Sequence, residues 1–326
     1  MWNEKITPQH EELLAAKDYR AIKALLNGLT PQDIALLLDG AKESDVSLLF
    51  RLLPKELAAE TFVEMDSDLQ KRLLRSFSDA ELRGVVAELF VDDVVDIIEE
   101  MPANVVKRIV ASADAETRAA VNEILHYPPD SAGSIMTTEY ISLSADMTVE
   151  DAFTRIRRVG VDKETIYTCY VTAPDRRLIG LVTVKTLLLS DKATAVGDIM
   201  ERNVISVRTD ADRELVAQEL GRYDFLAMPV TDAENRLVGI VTFDDAIDVI
   251  REEATEDIEK MAAITPTDKP YLKTGVFETF GKRIPWLCLL MISATFTGSI
   301  IAHFEDALAK AVILTAFIPM LMDTGG

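Results

Sequence analysis

Eight positions in the first part of the chain stand at a strict twelve-residue spacing, and that spacing admits few folds. Thr30, Lys42, Pro54, Asp66, Ser78, Phe90, Pro102 and Asp114 each precede a short run with helical apolar periodicity. Thr, Asp and Ser accept the free N–H groups of a first helical turn, and proline suits a helix start but not its interior. Eight residues into the units stand Leu38, Phe50, Phe62, Leu74, Val86, Ile98 and Val110. Eleven residues in stand Ala41, Leu53, Met65, Phe77, Leu89, Met101, Ala113 and Leu125. A helix this short cannot bury a face alone, so the units must stack. The spacing predicts a compact helical superhelix over residues 1–127.

At Tyr127 the pattern changes to YPPDSAGSIMTTEYISLSADMTVEDAFTRIRR, followed by the strand-like runs IYTCYV and LIGLVTV. The scheme recurs downstream: Met136 matches Met200 and Ile141 matches Ile205 at an offset of 64, while Gly180 matches Gly239 and Thr183 matches Thr242 at 59. The first copy therefore holds five extra residues, around VGVDKE. An in-line duplication of strand–helix–strand–strand–helix units predicts a pseudo-twofold pair.

The stretch Phe243–Met261, FDDAIDVIREEATEDIEKM, reads as one helix with an apolar stripe of Ile247, Ile250, Ala254 and Ile258. Its acids Asp244, Asp245, Asp248, Glu252, Glu253, Glu256, Asp257 and Glu259 face only Arg251 and Lys260 in compensation. Like charges four apart destabilise an isolated helix by about 0.2–0.5 kcal/mol per pair. A hard divalent cation, which takes carboxylate oxygens, is the natural compensating ligand. A second acidic run, FVDDVVDIIEE, puts Asp92 and Asp96 one turn apart. Two such clusters either repel across an interface or are bridged. TPTDKP is expected to break the helix near Thr265. After Lys282 and Arg283 the apolar run Ile284 to Phe304 spans roughly 30 Å at about 1.5 Å per residue, a bilayer's hydrocarbon thickness. A further apolar run starts at Ala311 and carries Asp323, an ionisable residue that is costly in lipid and a functional candidate.

The formal net charge of −21 argues against nucleic acid as a partner and favours cations. Cys169 and Cys288 are isolated, so no disulfide framework or CxxC site is expected; His10, His126 and His303 form no HExxH. Glycine-rich phosphate loops and a nucleophile–base constellation are absent from the sequence, which reads as a non-enzyme. The N-terminus lacks the apolar core of a signal peptide. Lys273, Lys282 and Arg283 precede the apolar run and Glu305 and Asp306 follow it, so residues 1–283 are expected to be cytoplasmic.

The repeated IM-x-x-x-x-I-S starts and G-x-V-T ends resemble tandem cystathionine-β-synthase (CBS) domains, which commonly bind adenine nucleotides. The family's ribose-binding acid corresponds to Asp245 in the second copy and to Thr186 in the first, so ATP stays an open alternative here. Helical acidic repeats, YPPDSAGSIMT, paired CBS units, the ATEDI helix and a membrane segment reaching MDTGG together resemble the MgtE family of magnesium transporters. The resemblance implies a homodimer in the cell membrane and a magnesium-selective channel. It divides the chain into a helical domain (1–127), CBS units (128–190 and 191–243), an acidic plug helix (244–265), a linker (266–283) and the start of an α-helical membrane domain (284–326). Family members have five membrane helices, of which this sequence would hold the first and part of the second. The implied Mg2+ ligands are Glu60, Asp92 and Asp96 in the helical domain, Asp212, Glu214 and Asp224 in the second CBS unit, and Asp245, Asp248, Glu253, Glu256 and Asp257 in the plug helix. The alternative is an adenine-nucleotide sensor regulating another membrane protein.

Overall fold

The computed structural model describes residues 13–262, 264–265 and 275–303. Each of the eight twelve-residue positions is the N-cap of a helix. The Asp66 and Asp114 carboxylates accept from the N–H groups of Leu69 and Thr117 at 2.7 and 2.8 Å. Ser78 and Glu81 cap each other reciprocally. The helices stack on their next-but-one neighbours: Pro31–Gly40 on Lys55–Val63, Lys55–Val63 on Asp79–Val86, and Asp79–Val86 on Ala103–Ser112. The pairs Glu43–Arg51 with Ser67–Ser76, and Val91–Glu100 with Ala115–Ile124, continue the superhelix.

Leu38, Phe50, Phe62, Leu74, Val86 and Ile98 are buried, as are Leu53, Met65, Phe77, Met101 and Ala113; Ala41, Leu89 and Val110 are half-buried against the same core. Leu125 departs from the expectation: it caps the last helix of the array and is 39% exposed. Phe50, Phe62 and Phe77 meet at ring-centroid distances of 5.3–6.2 Å. Truncating a buried phenylalanine costs about 3–5 kcal/mol. Phe62→Ala should therefore lower the urea midpoint of the array by a corresponding amount, and an unchanged midpoint would show that the three rings do not form its core.

The duplication takes the predicted form. In each copy a short strand runs parallel to the next, which pairs antiparallel with the third: β1 (Ser142–Leu143), β2 (Thr168–Thr172) and β3 (Leu178–Thr183), then β4 (Val207–Arg208), β5 (Ala227–Thr231) and β6 (Leu237–Thr242). Helices Val149–Val159 and Arg213–Tyr223 make the crossovers. The two copies also exchange their opening segments. Thr137 bridges to Ile240 of the second copy, and Glu201 bridges to Leu181 of the first. The paired motifs explain why: a Cβ at Gly239 would lie 2.6 Å from the Met136 sulfur, and one at Gly180 would lie 2.6 Å from that of Met200. Each glycine admits the other copy's methionine. Met136, Val216, Leu220, Met228, Val241 and Val249 belong to the same core as the helical array.

The chain divides into two units, Met1–Val249 and Ile250–Gly326, and the helix Phe243–Met261 runs from the first into the second. Its buried apolar residues are Ala246 and Val249, whereas Ile250 and Ile258 of the expected stripe are exposed. The helix ends at Met261, four residues before Thr265, whose position ahead of Pro266 disfavours helix. The next described helix begins at Val276, within the span 266–283 expected as a linker, and continues to His303 with Pro285 inside it. Thr279–Ile300 of that helix is long and apolar enough to cross a bilayer, with a mean hydropathy of 1.3 and none of it buried. The apolar run from Ala311 and Asp323 lie outside the described residues.

Candidate metal centre

The centre grows from a helix start that cannot cap itself. Phe90 offers no side-chain acceptor to the helix Val91–Glu100. The Val91 N–H donates instead to Glu139 Oε2 of the first CBS copy, at 3.0 Å. The Glu139 carbonyl in turn accepts from the Glu164 N–H at 3.0 Å. This short chain of bonds sets Glu164 close to the first turn of the helix, where Asp92 and Asp93 sit. Asp245, two residues into the helix that follows β6, takes the Thr242 hydroxyl.

The resulting seam gathers carboxylates. Asp92 is only 7% exposed, and its Oδ1 has no hydrogen-bond partner; Glu164 Oε2 is likewise buried and unpartnered. Burial, then the charges of Asp245, Asp93 and Glu164, hold the Asp92 carboxyl well above the usual carboxylate range. Burial, then Asp245, pushes Asp93 up to about 7. Glu164 is pushed up to about 8 by burial, then by Asp245, Asp93, Asp244 and Glu139. Asp245 rises to about 6, chiefly through burial, against the opposing bond from Thr242. A helix N-terminus favours anions, but here mutual repulsion and lost solvation win.

A buried carboxylate oxygen with no donor is costly unless it is protonated or meets a cation. The donor set is all oxygen, which fits a hard divalent ion such as Mg2+ and not a soft one. Among the described residues no three His, Cys, Asp or Glu side chains converge into a ready-made cage. An ion that retains several waters matches such spacing, because water can span what the carboxylates do not reach directly.

The structure brings two of the implied ligands, Asp92 and Asp245, into this seam. Asp96, one turn beyond Asp92, is exposed, and Glu60 is exposed on the helix Lys55–Val63. Asp212 is committed to capping the helix Arg213–Tyr223, accepting from the N–H groups of Glu214 and Leu215 at 2.9 and 3.2 Å. Glu214 accepts from the Gln218 amide at 2.9 Å. Asp224 is the left-handed C-cap of the same helix (φ 55°), with its side chain exposed. Asp248 is exposed on the helix Phe243–Met261. In the second unit Glu256 pairs with Lys260 at 2.6 Å, Glu253 is half-buried and Asp257 exposed. Asp93, Glu139 and Glu164 are the members of the seam that the sequence did not single out. Asp93 lies within the acidic run and Glu164 within the five-residue excess of the first copy, so both carried a signal; Glu139 carried none.

The two CBS copies treat their equivalent helix starts differently. In the first, Thr183 and Thr186 hydroxyls meet at 2.9 Å; in the second, Thr242 holds Asp245. At the position that the CBS resemblance assigns to ribose, the first copy carries Thr186 and no carboxylate, and in the second the carboxylate of Asp245 belongs to the acidic seam.

A stacked helical array, a CBS pair with exchanged openings and, later in the chain, an apolar helix long enough to cross a bilayer define the class as a membrane protein with a large water-exposed part. The model of the MgtE intracellular N domain matches residues 29–130, and that of the CBS domain matches 132–191 and 196–252. The chain belongs to the MgtE family of magnesium transporters. It is 38% identical to the magnesium transporter MgtE of Thermus thermophilus, over 99% of this chain and 72% of that protein. It is 33% identical to the magnesium transporter MgtE of Bacillus subtilis, over 96% of this chain and 69% of that one. Among solved structures, the cytosolic domain of the Mg2+ channel MgtE in complex with ATP superposes with a TM-score of 0.70 at 38% identity, covering 73% of this chain and 98% of that domain.

Proposed function

We infer that this chain is the magnesium-sensing and membrane-entry part of a Mg2+ transporter, closing its own pathway when cytosolic Mg2+ is plentiful. The observation that carries the sensing role is the pair of unpartnered, buried carboxylate oxygens on Asp92 and Glu164, with Asp245 beside them. Two carboxylates about 4 Å apart repel by about 1 kcal/mol in water and about 4 kcal/mol at an effective dielectric constant of 20. Without cations the seam between array and CBS pair is under tension; a divalent ion relieves it. Asp245 and Asp248 stand at the start of the helix Phe243–Met261, so the state of the seam is passed to the element that the family resemblance assigns as the plug. The same resemblance supports a homodimer. An ion can shift this equilibrium only by its difference in affinity for the closed and open forms, and weak, water-mediated sites suit a millimolar sensor.

Adenine nucleotide is the weaker reading. The relative crystallised with ATP supports it, while Thr186 and the engagement of Asp245 with Thr242 count against it. Small-angle scattering from the chain in detergent separates the two. Compaction in tens of millimolar MgCl2, absent in NaCl of equal ionic strength and in ATP with chelator, is the expected result. Identical profiles in chelator and in MgCl2 would end the sensing account.

A further inference from the structure

We propose that Glu164, carried on the segment that only the first CBS copy contains, is a further carboxylate of the divalent-cation seam, holding the ion together with Asp92 and Asp245. The proposal rests on the sensing role inferred above and extends it to a residue outside the ligand set that the resemblance implies.

Three observations converge on Glu164. The first is placement. The crossover helix Val149–Val159 continues into a 3-10 turn, Gly160–Asp162, before β2. The second copy passes from Tyr223 through the left-handed Asp224 into Phe225 and β5 without such a turn. The extra residues carry Glu164 to the start of the helix Val91–Glu100, where its N–H is tied to Glu139 and the Glu139 carboxylate caps Val91.

The second is unmet bonding. Asp92, more than nine-tenths buried, leaves Oδ1 unpartnered, and Glu164 leaves Oε2 in the same condition. Glu164 is among the charges that weigh on Asp92, so the two groups are electrostatic neighbours. The third is the surroundings. Asp245, Asp93, Asp244 and Glu139 are the charges that act most on Glu164, and all are acids. A glutamate kept there as a packing residue would donate a proton to one of those oxygens, yet Oε2 bonds to none. A shared cation accounts for both orphaned oxygens at once. It also makes the seam a once-per-chain site, because the second copy lacks the segment that supplies the third carboxylate.

The test titrates the full chain in detergent micelles with MgCl2 and reads protection from limited proteolysis. Wild type, Glu164→Gln, Glu164→Asp and, as a benchmark, Asp92→Asn are compared, with melting in chelator measured for each. At pH 9, where the seam is ionised, Glu164→Gln should raise the Mg2+ midpoint by about tenfold or more while raising the melting temperature in chelator, since it removes one repelling charge. Glu164→Asp, which keeps the charge, should fall nearer wild type. A residue that merely supports the fold would lower the melting temperature in chelator instead, and that outcome overturns the proposal. A wild-type midpoint in Glu164→Gln alongside a shifted Asp92→Asn also overturns it, but leaves the sensing role standing. Absence of any Mg2+ protection in wild type would remove both.

Discussion

Replacing Asp92 and Asp245 together by asparagine should leave the chain indifferent to magnesium and, in chelator, more stable than wild type. The two carboxylates lie on different elements, one on the array helix Val91–Glu100 and the other on the helix after β6. Burial raises both, and the charge of Asp245 is the largest electrostatic influence on Asp92. Asparagine keeps the shape, removes both charges and adds amide donors to a seam in which Glu164 Oε2 lacks one. An ion that binds only the closed form stabilises it by about 2.7 kcal/mol at a concentration one hundred times its dissociation constant. That increment should appear in wild type and vanish in the double variant, as read by thermal melts with and without MgCl2. A double variant with the wild-type Mg2+ increment would dissociate this pair from the ion.

The magnesium response should also strengthen with pH. Unfolded aspartate and glutamate titrate near 4, whereas the folded seam holds Asp245 at about 6, Asp93 at about 7 and Glu164 at about 8. Between those limits the folded state carries more protons than the unfolded one, so each rise in pH costs stability. In chelator the docking of array on CBS pair is firmest below about pH 4 and loosest above about pH 8. Asp92, Glu139, Asp244 and Asp248 face the same seam or flank it and add to the repulsion as it ionises. Magnesium reverses the trend, because its ligands must shed their protons to bind. The Mg2+ midpoint should fall by an order of magnitude or more between pH 6 and pH 8, with protons released on binding. A midpoint flat across that range would show that these acids are not what the ion meets.

Much of the architecture was written in local pattern. The twelve-residue openers work because a helix start depends on one or two neighbouring side chains, and even Phe90 and the two prolines keep the register. The duplication was equally visible, since strands and crossovers follow from alternation and turn residues within each copy. What the pattern could not carry was pairing across long separations. The exchange of Met136 and Met200 into the opposite copies leaves only a glycine as its mark, and a glycine has many uses. For the seam, Asp92 and Asp245 could be named through resemblance, but acidity alone does not distinguish Asp92, buried, from Asp96, exposed one turn later. That difference is made by which face the CBS pair covers. Glu139 owes its part to the uncapped Val91 N–H of another domain, a need that no window of sequence around it expresses.

The crossed openings of the CBS pair set a schedule for biosynthesis. Thr137 cannot meet its partner Ile240 until roughly a hundred further residues have left the ribosome, a wait of roughly 5–20 s at typical translation speeds. During that interval the nascent first copy lacks the neighbour that seats Met136. A pause within the second copy would lengthen the time for which the pairing positions of Thr137 and Met136 stay unfilled.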